Sequence, residues 1–154
     1  MKKKLSLLLT CILLCVSMAM PVYAAEPTGT PENEVVALAT SSNYFSKITP
    51  KLNSLAGALP ASANLSSGSC YGTNRSITSV TVNCRVSSGS SPFTLTVTAP
   101  DGTTQSMTCG TSSTTYTFTG FNTLDPYGTW NIKVKTNGAV STVTATLKVI
   151  YNYN

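Results

Sequence analysis

Apolar and polar residues alternate with a period of two over most of the chain after residue 75. In most of these segments apolar side chains alternate with Thr, Asn, Lys or Arg, as in a strand with one face in a core and the other in water, and in 103–109 Met107 is the expected inward residue. The segments are 80–86, 93–98, 103–109, 115–119, 130–135 and 143–151. Turn-forming sequences separate them, among them Pro-Asp-Gly at 100–102 and Asn-Gly at 137–138. The pattern predicts an all-β, antiparallel sandwich over residues 70–154.

The stretch from residue 25 to residue 69 has a different pattern. A polar, proline-bearing sequence comes first, at 26–32. Apolar residues then recur at helix-like intervals, with Pro50 interrupting them: Tyr44, Phe45, Ile48, Leu52, Leu55 and Leu59. We expect a loosely ordered, partly helical linker or spacer. A short broken helix packed on the domain and a removable pro-segment are the alternatives.

The first 24 residues have the pattern of an export signal. Three lysines are followed by an apolar run over 5–16 and by Val22-Tyr23-Ala24, which suits cleavage after Ala24 or Ala25. The apolar run is too short to span a bilayer comfortably. We therefore expect a secreted, extracellular protein, of the kind exported by Gram-positive bacteria, with no membrane attachment after cleavage.

Removal of this leader lowers the net charge. The whole chain carries +5. Seven basic residues and five acidic residues remain, which gives 7 − 5 = +2: Lys47, Lys51, Arg75, Arg85, Lys133, Lys135 and Lys148 against Glu26, Glu32, Glu34, Asp101 and Asp125. This charge is too small and too scattered for nucleic-acid binding.

Three cysteines follow the leader, at positions 70, 84 and 109. Export favours one disulfide with one thiol left over. We expect the Cys84–Cys109 pairing, because both residues fall on strand-like segments, and Cys70 is the alternative partner. Without a histidine or a C-x-x-C spacing, the three cysteines make a poor zinc site.

The chain contains no histidine. This excludes a Ser-His-Asp triad, a Cys-His pair and a histidine general base. The only carboxylates after residue 70 are Asp101 and Asp125, and both fall in turns, where Asp is an ordinary choice. We therefore expect no enzymatic activity and no cofactor. The same two carboxylates are weak candidates for calcium ligands, since no dense run of acidic residues surrounds them.

Aromatic side chains are the remaining candidates for recognition. Trp130 occupies an inward-facing position of its segment, and we expect it in the core. Tyr71, Tyr127 and Tyr153 fall in turns or at the end of the chain, where exposure is expected. These three tyrosines are the predicted binding surface.

Two stretches of the chain resemble the P domain, or Homo B domain, of subtilisin-like proprotein convertases. In 77–107 a Leu-x-Val strand leads into Pro-x-Gly-Thr and an apolar return, matched by Leu95, Val97, Pro100, Gly102, Thr103 and Met107. In 127–149 a Gly-x-Trp opening leads to a last alternating strand, matched by Gly128, Thr129, Trp130, Gly138 and Leu147. The family often has a His and an Asp-Leu pair before the first of these strands. This chain has Ser87-Ser88 and Phe93-Thr94 there.

The resemblance implies a short, stand-alone jelly-roll sandwich. In the family this domain follows a protease and supports its folding, so what carries over is a stabilising or interacting role without proteolysis. We expect a non-catalytic module whose partner is an extracellular protein or a glycan. The alternatives are a carbohydrate-binding module and a bacteriocin-like effector with a pro-segment.

Overall fold

The computed structural model describes residues 39–154, and the predicted leader lies outside them. None of the described residues forms a helix, and so none forms one that is long and apolar enough to cross a membrane. Residues 39–154 contain nine strands: β1 (Ser41–Ile48), β2 (Leu52–Leu55), β3 (Ala61–Ser66), β4 (Ser76–Val86), β5 (Phe93–Thr98), β6 (Thr104–Cys109), β7 (Thr114–Phe118), β8 (Thr129–Thr136) and β9 (Val140–Tyr153).

The strands form two antiparallel sheets. The larger sheet has the order β1-β9-β4-β7, and β2 pairs with β9 beyond the end of β1. The smaller sheet has the order β3-β8-β5-β6. Most neighbours in a sheet are therefore distant in sequence, and β8 and β9 lie inside the two sheets.

The two sheets enclose one hydrophobic core. From the larger sheet, Val80 and Val82 of β4 are fully buried, and from the smaller sheet so are Leu95 of β5 and Ile132 of β8. Their outward neighbours are Ser, Thr, Asn or Lys residues. The alternation seen in the sequence thus has the cause expected of a sandwich, because each strand has one face on the core and one in water.

The six predicted strands correspond to β4–β9, and the all-β prediction is confirmed. Trp130 is also buried as predicted. Its ring meets Phe121 edge-on at 5.5 Å between centroids, and Phe45 at 6.5 Å. Its indole Nε1 donates a hydrogen bond to the Pro126 carbonyl over 3.1 Å. The tryptophan therefore belongs to the core.

The predicted spacer is wrong over its described part. Residues 41–66 form strands β1, β2 and β3, which complete both sheets, so the sandwich begins well before residue 70. The helix-like spacing results from apolar residues on both faces of the strands. Phe45 and Leu52 point to the core, whereas Tyr44 and Ile48 are exposed. The part of the predicted spacer before residue 39 lies outside the described residues.

The predicted Cys84–Cys109 disulfide is not present. Cys84 on β4 and Cys109 on β6 are buried free thiols in opposite sheets, and Cys70 is a half-buried free thiol. The Cys109 thiol is directed to its own strand, where it donates a weak hydrogen bond to the Met107 carbonyl over 3.6 Å. Both buried cysteines act as small apolar side chains of the core.

We expect these thiols to differ sharply in reactivity. Burial raises the pKa of Cys84 to about 12 and also raises the pKa of Cys109. At about pH 8 both therefore stay protonated and enclosed. In a chain of residues 39–154, a thiol-modifying disulfide reagent should modify Cys70 alone, and all three cysteines only after unfolding. Mass spectrometry of the products would measure this, and rapid native modification of Cys84 would contradict it.

The same shift predicts a pH dependence of stability. A thiol whose pKa is raised by folding contributes stability below its usual pKa, and that contribution is lost as the pH rises toward the folded value. For Cys84 the loss should fall between the usual pKa of 9.0 and about 12. Urea titrations at alkaline pH should show a smaller loss in Cys84→Ala than in the wild type.

Candidate functional site

Two loops and the end of one strand bring the predicted tyrosines to one end of the sandwich. Tyr71 lies in the β3–β4 loop, Tyr127 in the β7–β8 loop and Tyr153 at the end of β9. The backbone of Thr73 pairs with that of Asn154 through hydrogen bonds of 3.0 and 3.1 Å, which fastens the β3–β4 loop to the end of β9. We call this surface, defined by Tyr71, Tyr127 and Tyr153, the tyrosine end.

Gly72 allows the close approach within the tyrosine end. Its φ of +70° is in the left-handed region, and a Cβ at this position would overlap the Tyr153 ring. Glycine meets both demands, because it has no side chain and adopts positive φ freely. The Tyr153 ring therefore packs directly on the backbone next to Tyr71.

Arg75 connects two of the loops. Its Nε donates a hydrogen bond to Oδ1 of Asp125 and its Nη2 donates one to Oδ2, both over 3.0 Å. Its Nη1 donates a third, of 2.8 Å, to the Gly72 carbonyl. The guanidinium also lies over the Tyr127 ring, 5.5 Å from its centroid. A planar, bidentate pair of this kind fixes both partners, and the cation adds an attraction to the ring. Arg75 thus holds Tyr127 in place.

The buried side chain of Tyr151 contacts both Tyr71 and Tyr153. Its hydroxyl accepts a 3.0 Å hydrogen bond from the Tyr71 backbone N–H, and its ring lies 6.1 Å from that of Tyr153. Burial raises the pKa of Tyr151, so the phenol stays protonated near neutral pH. The backbone at Tyr71 is therefore fixed, while its side chain is 66% exposed.

A groove opens beside Tyr127. It has a volume of about 360 Å³ and is lined by Ser66, Ser67, Gly68, Ser69, Tyr127, Gly128 and Thr129. Its floor is held by Ser67, whose N–H donates to the Gly128 carbonyl over 2.9 Å and whose Oγ accepts from the Gly128 N–H over 3.0 Å. Gly128 has a φ of +130°, and a Cβ there would lie 2.7 Å from the Cβ of Pro100. The groove thus joins the β3–β4 and β7–β8 loops.

The oxygens of both calcium candidates already accept hydrogen bonds within the domain. Asp101 accepts hydrogen bonds from the N–H and the hydroxyl of Thr103, both over 2.9 Å. Asp125 accepts from Arg75 and from the Tyr127 N–H. Within residues 39–154 no three His, Cys, Asp or Glu side chains are grouped as metal ligands. The structure gives both carboxylates a role in loop geometry.

The ion pair predicts an acid-sensitive contribution to stability. Hydrogen bonds from Arg75 lower the pKa of Asp125, so the pair stabilises the fold above the usual carboxyl pKa and loses this effect as the pH falls. The Asp125 side chain is 55% exposed, which limits the effect to about 1 kcal/mol or less. Asp125→Asn should cost this amount near neutral pH and nothing in acid, measured by urea unfolding.

A double-mutant cycle gives the control for this prediction. In a chain that already carries Arg75→Met, the Asp125→Asn substitution no longer removes an ion pair, so its cost should be smaller and independent of pH. Equal costs of Asp125→Asn in the presence and absence of Arg75 would contradict the assignment.

The sequence predicts the three tyrosines as a binding surface, and the structure places them at one end of the sandwich, with Tyr71 and Tyr127 exposed and Tyr153 half-buried. The sequence points to neither Arg75 nor the groove. Arg75 and Asp125 are 50 positions apart, and no local pattern links them. Ser66-Ser67-Gly68-Ser69 has the composition of an ordinary loop. The signal available was the glycine at the centre of this run, since Gly68 has a φ of +76° and turns the chain along the groove.

Comparison with known proteins adds no assignment for this all-β sandwich. No protein-family model matches the chain, and no curated protein matches it. Among solved structures, FlhE has a TM-score of 0.49 and 16% identity, over 75% of this chain and 97% of that one. A turnip yellow mosaic virus structure has a TM-score of 0.42 and 15% identity, over 88% and 87% of the two chains. The cyanophage Pam1 capsid has a TM-score of 0.45 and 17% identity, over 88% and 100%. Likenesses of this degree do not identify a function.

Proposed function

We propose that the protein is a secreted, non-catalytic β-sandwich module that binds a partner outside the cell through its tyrosine end. The observation that carries this proposal is the convergence of Tyr71 and Tyr127, on loops held together by Arg75, with Tyr153 at the end of β9. Tyr and Arg are enriched at binding interfaces, because they offer a large apolar area together with polar groups. Fixed loops also reduce the entropy lost on binding.

The finer part of the fold proposal is a jelly roll, as in the P domain that the sequence resembles. If β1 and β2 count as one interrupted strand, the eight strands have the orders 1-8-3-6 and 2-7-4-5. Two four-stranded sheets with long crossings between them suit the two Greek keys of a jelly roll. This order supports a P-domain-like module with a stabilising or interacting role.

The absence of catalysis is part of the proposal. The chain has no histidine, and the carboxylates of the domain, Asp101 and Asp125, accept hydrogen bonds within their own turns. A pair of carboxylates for glycoside hydrolysis would have to face each other across a cleft. The purified protein should therefore show no hydrolysis of peptide or glycoside substrates above background.

Export rests on the leader, residues 1–24. N-terminal sequencing of the secreted protein should give a start near Ala25. A start near Ser66 would favour the alternative with a removable pro-segment. That alternative is disfavoured, because cleavage at Ser66 would remove β1, β2 and β3 from the two sheets.

Partner binding is tested with two variants that fold alike. Immobilised wild type, Tyr71→Ala/Tyr127→Ala and Tyr44→Ala are exposed to the culture fluid and wall fragments of the producing cells. Tyr44 is 61% exposed on β1 and does not line the groove, so it matches Tyr127 at 59%. Wild type and Tyr44→Ala should retain the same material, and the double variant about tenfold less. Equal retention by all three, or by none, would refute the proposal.

A further inference from the structure

We propose that the groove beside Tyr127 binds a neutral saccharide. This inference rests on the proposed function, since it names the class of ligand that the tyrosine end takes. A volume of about 360 Å³ is at the lower end of the range of small-molecule sites, about 300–1,000 Å³. The groove suits a terminal sugar or a short saccharide better than a folded protein surface.

The lining of the groove favours an uncharged ligand. None of its seven residues is Asp, Glu, Lys, Arg or His: four carry aliphatic hydroxyls, two are glycines and one is a tyrosine. Two cations lie at the margin of the groove: Arg75, which is paired with Asp125, and Lys47, whose Nζ is 3.6 Å from the position that a Cβ of Gly68 would take. Neither belongs to the lining, so an ion inside the groove would lose water without gaining a charged lining partner. A sugar carries hydroxyls that pair with Ser and Thr hydroxyls and with backbone groups.

Two of the lining hydroxyls are free to meet a ligand. The Ser67 Oγ is engaged with Gly68 and Gly128, and the Ser66 Oγ accepts from the Gly68 N–H over 3.2 Å. Within the described part of the chain, the hydroxyls of Ser69 and Thr129 have no hydrogen-bond partner. The first pair therefore shapes the groove, and the second pair is available for recognition.

Tyr127 supplies the apolar contact that a sugar ring needs. The Arg75 guanidinium covers one part of the phenol ring, at 5.5 Å from its centroid, yet the residue is still 59% exposed and lines the groove. The C–H groups on one face of a pyranose pack well on an exposed aromatic ring. Because Asp125 fixes Arg75, the ring is positioned before the ligand arrives.

The test is an NMR titration of the ¹⁵N-labelled secreted protein. The probes are four neutral disaccharides: maltose, cellobiose, lactose and N,N′-diacetylchitobiose. At least one should shift the amide signals of Ser67, Gly68 and Gly128 saturably, with a Kd of about 1 mM or lower. The amides of β6, in the opposite part of the smaller sheet, should not shift.

Matched variants assign the contacts. Tyr127→Ala should weaken binding about tenfold, and Thr129→Val, which keeps the side-chain shape, about threefold to tenfold. Tyr44→Ala should bind as the wild type does. Unchanged affinity in Tyr127→Ala, or no shift with any of the four probes up to about 20 mM, would overturn the inference.

The outcome also separates this inference from the proposed function. If Tyr71→Ala/Tyr127→Ala loses its extracellular partner but no disaccharide shifts the groove amides, the saccharide inference is wrong and the binding module stands. The partner would then be a protein or peptide on the same surface. If neither result is obtained, both proposals are wrong.

Discussion

We expect a chain that begins at Cys70 to fail to fold, and a chain that begins at Ala39 to form the same two sheets as the full protein. The shorter chain lacks β1 and β2, which pair with β9, and β3, which pairs with β8. It also loses the buried side chains of Leu52 and Leu65.

The size of this effect follows from what becomes exposed. Each lost strand hydrogen bond costs about 0.5–1.5 kcal/mol, and each large apolar side chain that loses its cover costs about 1.5–3 kcal/mol. The removed residues no longer have to be ordered, which offsets part of this cost. Strands β8 and β9 are nevertheless left with unpaired edges and uncovered apolar side chains, and the remaining loss is comparable to the roughly 5–15 kcal/mol by which a domain of this kind is typically stable. Far-UV circular dichroism and a urea titration of both chains measure it. A cooperative transition in the chain that begins at Cys70 would contradict it.

Trp130→Ala should destabilise the domain by about 3–5 kcal/mol, the cost typical of removing a large aromatic from a core. The ring is completely buried and meets Phe45 and Phe121 edge-on. These contacts join β1, the β7–β8 connection and β8. The substitution therefore loosens both sheets together.

Trp130→Phe is the control for this prediction. It keeps an aromatic ring in the core but removes the indole N–H, so that the Pro126 carbonyl loses its donor. We expect a cost of about 1–3 kcal/mol for the unpaired group and the smaller ring. Urea unfolding of both variants measures these losses in the free energy of unfolding. A cost below about 1 kcal/mol for Trp130→Ala would show that the core repacks around the space.

The sequence predicts six strands well because their inward positions are apolar almost without exception. Strands β1 to β3 escape the same reasoning, since polar residues occupy inward positions there. Ser54 is buried and its Oγ accepts from the Thr136 N–H over 2.9 Å. Thr49 is buried just after β1 and accepts from the Ala145 N–H over 3.0 Å. These residues are polar because they satisfy backbone groups of neighbouring strands, which no local pattern reveals.

The candidate site, like the fold, could be predicted from the sequence only in part. The exposure of Tyr71 and Tyr127 could be predicted, because turns lie on the surface. Their proximity in space could not be predicted, since it depends on contacts between Arg75, Asp125 and the end of β9 that form only in the folded chain. The cysteine pairing was predicted from strand position and export alone. That reasoning could not show that the Cys109 thiol points to Met107 on its own strand.

The position of β9 has a consequence for the time at which the protein can fold. Both sheets have a late strand in their interior: β8 joins β3 to β5, and β9 joins β1 and β2 to β4. Among strands β1 to β7, only β4 with β7 and β5 with β6 pair with each other. The larger sheet therefore cannot assemble completely before β9, up to Tyr153, has been synthesised.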